Sequence, residues 1–136
     1  MQNLLLYFIL AFIFLDLVIV IIIFLKRKKG RISPKDMEFV KITWYRILDY
    51  FPANPQKSIM DADKLLDFVL SRYGKTGNLG EKLKQSNKLF SDINSVWEAH
   101  KLRNKFAHEI KEPDKKQTKN ALQNYKKALI ELGIDL

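Results

Sequence analysis

The chain of 136 residues contains no cysteine and only two histidines, His100 and His108. Without cysteine it has no disulfide, no thiol nucleophile and no cysteine-ligated metal site, and a reducing compartment suits it. Two histidines are too few for a three-histidine zinc site, and no cluster of Asp, Glu and His has metal-ligand spacing. The sequence therefore predicts no bound metal and no other cofactor.

Basic residues are absent from the first 25 positions, where Asp16 is the one acidic residue. From Leu4 to Leu25, 19 of 22 residues are Leu, Ile, Phe or Val. As a helix this stretch is about 33 Å long, enough to cross a hydrocarbon core of roughly 30 Å. Asp16 costs about 2.5–3.5 kcal/mol near the centre of a membrane, which the many apolar residues offset. We therefore predict a transmembrane helix in residues 1–25 rather than a cleaved signal peptide, which would have a basic start and a small-residue cleavage site.

A short basic run follows the apolar stretch at once and consists of Lys26, Arg27, Lys28, Lys29 and Arg31. By the positive-inside rule, this run predicts an N-terminus outside the cell and residues 26–136 in the cytoplasm. The protein is then a single-pass protein of the cytoplasmic membrane, and residues 26–33 form a basic juxtamembrane linker. The same side chains can face the membrane and bind anionic headgroups, which fits their position better than RNA binding.

Residues 34–136 show helical spacing of apolar side chains and no alternating strand pattern. Capping residues and this spacing predict helices at about 34–51, 55–73 and 80–88, a long helix capped by Ser91, a charged loop at 111–116, and a last helix ending at Gly133. The predicted fold is all-α, with the membrane helix followed by a bundle of four to five helices. Beyond Lys29 the net charge is +6, which suits an anionic partner such as RNA or lipid headgroups.

The segment Trp97–Glu109 of the long helix combines three side chains with useful chemistry. Arg103 presents a guanidinium fork that can bind a phosphate, and Asn104 follows directly. His108 adds an imidazole, the side-chain type most often used to transfer protons. The segment resembles the signature of HEPN domains, small helical modules in which four to six residues separate an Arg from a His. A polar residue usually follows the Arg in that family, and Asn104 takes this position here. The resemblance covers about residues 36–132.

Many HEPN proteins are metal-independent ribonucleases in which two protomers bring both motifs to one cleft. The resemblance therefore implies a homodimer with Arg103, Asn104 and His108 as catalytic residues. In the implied reaction a ribose 2′-hydroxyl attacks the adjacent phosphate. His108 transfers the proton, and Arg103, assisted by Asn104, stabilises the developing negative charge. Some HEPN proteins keep the fold without catalysis and act as binding modules.

Helical periodicity predicts that several polar side chains of the long helix lie near the seam of the bundle. The predicted inward stripe contains Ile93, Val96, Trp97, His100, Asn104 and Ala107. Since unpaired polar groups are costly there, we interpret His100 as a hydrogen-bonded core residue that supports the site. Arg103 needs a counter-charge from the second helix of the bundle. Asp61 lies on the apolar stripe of that helix and Asp63 lies opposite, so Asp61 is the predicted partner and Asp63 the second choice.

Two functions are compatible with these features. The first is a membrane-anchored ribonuclease that cleaves cytoplasmic RNA without a metal. The alternative is a non-catalytic HEPN-like binding or scaffold protein at the membrane, whose partner is a nucleotide, RNA or an unidentified protein. The presence of both Arg103 and His108 favours the first function. The absence of an evident substrate-recognition domain keeps the second open.

Overall fold

The structure is a computed structural model and describes residues 2–28, 32–108 and 114–136. All secondary structure in these ranges is helical, and no strand occurs in them. This confirms the predicted all-α class. The chain divides into two compact units, residues 1–31 and 32–136.

The first unit consists of one long helix, α1 (Gln2–Lys28). Its segment Leu4–Ile23 has a mean hydropathy of 3.1, and none of it is buried within the protein. Length and composition thus allow α1 to cross a membrane. Of the five basic residues predicted to face the membrane, Lys29 and Arg31 lie outside the described residues. For the other three, at positions 26–28, only the helical backbone is described.

The second unit contains five helices within the described ranges, which confirms the predicted number. They are α2 (Pro34–Tyr50), α3 (Pro55–Arg72), α4 (Leu79–Lys84), α5 (Ile93–His108) and α6 (Lys115–Glu131), with a 3₁₀ turn at Asn87–Leu89. Two of the helix starts follow directly from sequence. The side chains of Ser33 and Asn54 each accept a hydrogen bond from a backbone amide three residues on, and a proline follows each cap. This arrangement satisfies an otherwise unpaired amide of the first turn.

Three boundaries differ from the prediction. Helix α4 ends at Lys84, because the buried Ser86 hydroxyl donates back to the Lys82 carbonyl at 2.6 Å as the chain turns. Asp92 rather than Ser91 caps α5, since an Asp92 carboxylate oxygen accepts from two backbone amides of the first turn at 3.1 and 3.2 Å. Helix α6 begins inside the predicted loop, after Asp114, and residues 111–113 of that loop lie outside the described residues.

Helix α3 lies at the centre of the bundle and packs against α2, α5 and α6. The largest fully buried side chains come from several helices and include Trp44, Ile47, Ile59, Leu66, Leu70, Leu83, Tyr125 and Leu129. Because neighbours cover α3 on more than one side, it has buried residues on two faces. One of these residues is Asp63, which is 5% exposed.

Candidate functional site

A buried carboxylate on α3 is the centre of a polar cluster within the bundle. One oxygen of Asp63, Oδ1, accepts a hydrogen bond from the Tyr125 hydroxyl at 2.7 Å and lies 2.7 Å from Nδ1 of His100. The other oxygen, Oδ2, lies 3.4 Å from Nε of Arg103 in an ion pair without hydrogen-bond geometry. Helices α3, α5 and α6 each contribute to this cluster, so its geometry depends on the assembled bundle.

The α5 members of the cluster also bond to one another. Nη1 of Arg103 donates to Oδ1 of Asn104 at 3.0 Å, and Nδ2 of Asn104 lies 3.3 Å from Nε2 of His100. Together with Asp63, these three residues close a ring of polar contacts. Each side chain in the ring is oriented by two others, which restricts its rotamer and gives the site a defined shape.

The hydrogen bonds are mutually consistent with one tautomer of His100. An ionised Asp63 can only accept, so Nδ1 of His100 carries a proton. In the neutral imidazole Nε2 is an acceptor, so the amide nitrogen of Asn104 donates to it while the amide oxygen of Asn104 accepts from Arg103. Burial and the Asp63 carboxylate raise the pKa of the Tyr125 hydroxyl well above its ordinary value, so Tyr125 remains a donor to Asp63. All donors and acceptors around Oδ1 are therefore matched.

Beside this cluster lies an open cleft of about 490 Å³. Its lining residues come from α3, α4 and α5 and are Asp63, Lys64, Asp67, Asn78, Leu79, Gly80, His100, Arg103 and Asn104. We call it the Arg103 cleft. The Arg103 side chain is 28% exposed, and its Nη2 makes no hydrogen bond to a described residue. Donors of the guanidinium thus remain available to a ligand in the cleft.

His108 is the last residue of α5, and its side chain is exposed. It does not line the Arg103 cleft, and within the described part of the chain it makes no hydrogen bond or ion pair. The predicted inward stripe is wrong at this end of the helix, because Ala107 is exposed and Phe106 is buried. In one chain, the structure therefore brings together Arg103, Asn104 and His100 but leaves His108 outside the cluster.

No known family model, curated protein or solved structure matches this chain. The resemblance to HEPN domains therefore stays a prediction from the sequence of the Trp97–Glu109 segment. Among the residues that the structure describes, no group of three or more His, Asp or Glu side chains has the arrangement of a metal site.

Asp61 was the wrong choice as the counter-charge of Arg103. Its carboxylate accepts a hydrogen bond from Tyr50 at 2.5 Å, contacts Lys57, and lies 3.8 Å from Nζ of Lys64. The prediction treated α3 as having one apolar face. In the bundle α3 has two, and Asp63 lies on the face that packs against α5 and α6, whereas Asp61 lies beside α2.

A signal for the correct carboxylate was present in the sequence. Asp63 follows Ile59 by four residues and precedes Leu66 and Leu70 by three and seven, which is the spacing of a second apolar stripe. All three apolar residues are fully buried. Tyr125 of α6 is fully buried, and a buried tyrosine hydroxyl usually needs a hydrogen-bond partner. These two observations together point to a buried acceptor on α3.

Proposed function

We propose that this protein is a membrane-anchored ribonuclease that cleaves cytoplasmic RNA without a metal. The observation that carries this proposal is the fixed position of the Arg103 guanidinium. Asp63 and Asn104 hold it at the wall of an open cleft, while Nη2 has no hydrogen bond to a described residue. A guanidinium restrained in this way binds a phosphate with little further loss of side-chain entropy.

The roles of the three motif residues follow from their chemistry. The substrate supplies the nucleophile, its own 2′-hydroxyl, whose oxygen bonds to phosphorus as the bond from phosphorus to the 5′-oxygen breaks. The protein therefore needs a group that takes the proton of the 2′-hydroxyl and returns one to the departing 5′-oxygen, and groups that stabilise negative charge. His108 accepts the proton of the 2′-hydroxyl and, once protonated, returns it to the departing 5′-oxygen. Arg103 stabilises the charge that develops on the phosphate oxygens. Asn104 keeps the guanidinium in place through the 3.0 Å hydrogen bond from Nη1.

A complete site in this proposal requires two protomers. Arg103 and His108 are five residues apart on α5, which is about 7.5 Å along the axis and about 140° around it. Their side chains therefore diverge, and one phosphate does not easily contact both from a single chain. Pairing of the exposed C-terminal ends of two α5 helices brings Arg103 of one protomer close to the partner's His108. A homodimer with two composite sites results.

One observation favours a second candidate, a non-catalytic module at the membrane that binds RNA, a nucleotide or a protein. No described residue orients His108, whereas an effective proton acceptor is normally held by a neighbour. Without such a neighbour the Arg103 cleft binds a phosphate group but does not cleave the chain. RNA binding without cleavage is the result that identifies this function.

The decisive test uses the full-length chain in detergent micelles or in nanodiscs of zwitterionic lipid. Mixed RNA incubated with the protein in excess EDTA is expected to be cut, with products that end in 2′,3′-cyclic phosphates, because the 2′-hydroxyl is the attacking group. A DNA oligonucleotide of the same sequence is the control and should remain intact. Cleavage of the DNA, or complete loss of RNA cleavage in EDTA, would refute the proposed chemistry.

The same proposal requires residues 32–136 to lie in the cytoplasm. A reporter that is active only in the cytoplasm, fused to the C-terminus, is expected to be active in intact cells. The physical reason is the basic run after the apolar segment Leu4–Leu25, which is retained on the cytoplasmic side, while Met1, Gln2 and Asn3 carry no charged side chain. As the matched control, Lys26–Lys29 are exchanged for serines and lysines are placed before Leu4. This variant should lose cytoplasmic reporter activity, and equal activity of the two forms would contradict the orientation.

A further inference from the structure

A second cleft lies on the other side of α3, between α2 and α3, and has a volume of about 400 Å³. Its lining residues are Phe39, Thr43, Arg46, Tyr50, Lys57, Asp61, Lys64, Leu65 and Phe68. We call it the α2–α3 groove. Its size lies within the roughly 300–1,000 Å³ of clefts that hold small ligands or segments of larger ones. None of the residues assigned to the proposed cleavage reaction lines it.

The groove has a net positive charge. It contains three cationic side chains and a single carboxylate, Asp61. Although burial acts in the opposite direction, hydrogen bonds from Lys57 and Tyr50 hold the pKa of Asp61 below its usual value, so it is ionised at neutral pH. Asp61 pairs with Lys57 and Lys64, whereas the one polar contact of Arg46 to the described residues is from Nη2 to the Thr43 hydroxyl at 3.5 Å. The guanidinium of Arg46 therefore has no ion pair among the described residues.

One end of the groove is aromatic. The Phe39 and Phe68 rings meet edge to face, with centroids 5.1 Å apart. Arg72 lies over the Phe68 ring at 4.8 Å, so Phe68 is held between an aromatic ring and a cation. Phe39 is 48% exposed. Phe39 contacts Phe68, and about half of its surface is open to a ligand beside the cations of the groove.

Lys64 connects the two clefts. It lines both the α2–α3 groove and the Arg103 cleft, and its side chain is 68% exposed. A ligand with negative charges at regular intervals can therefore contact Arg46, then Lys64, and then enter the Arg103 cleft. A polymer that alternates phosphates with flat apolar rings matches this series of groups. An acidic peptide supplies the charge but not the ring for Phe39.

We propose that the α2–α3 groove binds the single-stranded RNA that flanks the cleaved bond. One base stacks on Phe39, and successive phosphates contact Arg46 and Lys64. This inference rests on the proposed ribonuclease function and extends it to the form of the substrate. The substrate is unpaired RNA, because a base must leave its helical stack to lie on Phe39.

The test measures binding of a short fluorescent RNA oligonucleotide in which every 2′-hydroxyl is methylated, so that it cannot be cleaved by 2′-hydroxyl attack. Fluorescence anisotropy gives its affinity for the full-length chain in zwitterionic nanodiscs. Phe39→Ala is expected to weaken binding by about 5- to 100-fold, the usual effect of losing one stacked base. Ile42→Ala is the matched control, since Ile42 is an apolar residue of α2 that is 59% exposed and does not line the groove.

Salt dependence tests the cationic part of the groove separately. Arg46→Ala is expected to reduce the slope of log affinity against log salt concentration by about 0.7, the change for one lost phosphate contact to a single strand. Lys126→Ala removes an exposed cation of α6 that lines neither cleft and should leave the slope nearly unchanged. Both groove variants replace exposed side chains, so the thermal unfolding midpoint should stay close to that of the parent.

Several outcomes overturn the inference. Equal binding by the Phe39→Ala and Ile42→Ala variants would show that no base stacks there. If a poly-glutamate peptide binds more tightly than the oligonucleotide, the groove is a site for an acidic protein segment. If the chain binds anionic lipid through the groove and does not bind the oligonucleotide, the groove is a site for the membrane surface. Failure of the ribonuclease proposal and failure of the groove proposal give different results. A chain that binds the methylated oligonucleotide but cuts no RNA is not a ribonuclease, whereas unchanged KM for RNA in Phe39→Ala rejects the groove alone.

Discussion

Replacement of His108 by alanine is expected to lower the rate of RNA cleavage by about 10²- to 10⁴-fold, the usual cost of removing a proton-transfer group. Because His108 is exposed and unpaired among the described residues, the variant should fold with the stability of the parent. Single-turnover cleavage of RNA in EDTA measures the effect. Lys101→Ala, which changes another exposed residue of α5, is the matched control and should cut at nearly the parental rate. Unchanged cleavage by His108→Ala would remove this residue from the mechanism.

A mixing experiment follows from the same prediction. Arg103→Ala and His108→Ala chains should each be nearly inactive. If the site contains Arg103 of one protomer and the partner's His108, a mixed dimer has one site with both residues intact. Mixing the two inactive variants should therefore recover part of the activity. A mixture as inactive as its components, although the chains exchange between dimers, would show that both residues act within one chain.

The largest expected effect on folding comes from Asp63. Asp63→Ala leaves the partly buried Arg103 without its counter-charge, and it removes the acceptor of the Tyr125 hydroxyl and of Nδ1 of His100. Breaking a buried ion pair from one side typically costs about 3–5 kcal/mol. Since small domains are stable by only about 5–15 kcal/mol, this loss is a large fraction of the total stability. Urea titration followed by circular dichroism measures the change in unfolding free energy.

Asp61→Ala is the matched control for that experiment. Both residues are aspartates of α3, but the Asp61 side chain is 27% exposed and its cationic partners, Lys57 and Lys64, are mostly exposed. Exposed pairs of this kind are worth about 1 kcal/mol or less. The two substitutions should therefore differ by several-fold in their free-energy cost. Similar costs for both would mean that the Asp63 cluster does not stabilise the bundle as its geometry indicates.

Much of the architecture was available from local sequence patterns. The apolar stretch of α1, the caps Ser33 and Asn54 and the apolar spacing of α2 and α3 depend on neighbours within one or two helical turns. Such short-range signals predict that a helix exists and where it begins. The same signals were less accurate for the end of α4 and the start of α5. There the sequence offers several similar boundaries, and local hydrogen bonds of Ser86 and Asp92 are made at the observed ones.

For the candidate site as well, some features follow from sequence and others only from the folded structure. The sequence by itself determined the all-α class, the apolar helix at the N-terminus, and the neighbouring positions of His100, Arg103 and Asn104 on one helix. Only the tertiary structure decided that Asp63 rather than Asp61 pairs with Arg103, that Tyr125 completes the cluster, and that His108 is exposed. The physical reason is that helical spacing relates residues on one helix, whereas the identity of a counter-charge depends on which face of α3 packs against α5 and α6. That choice is made by the packing of the whole bundle, with side chains far apart in sequence.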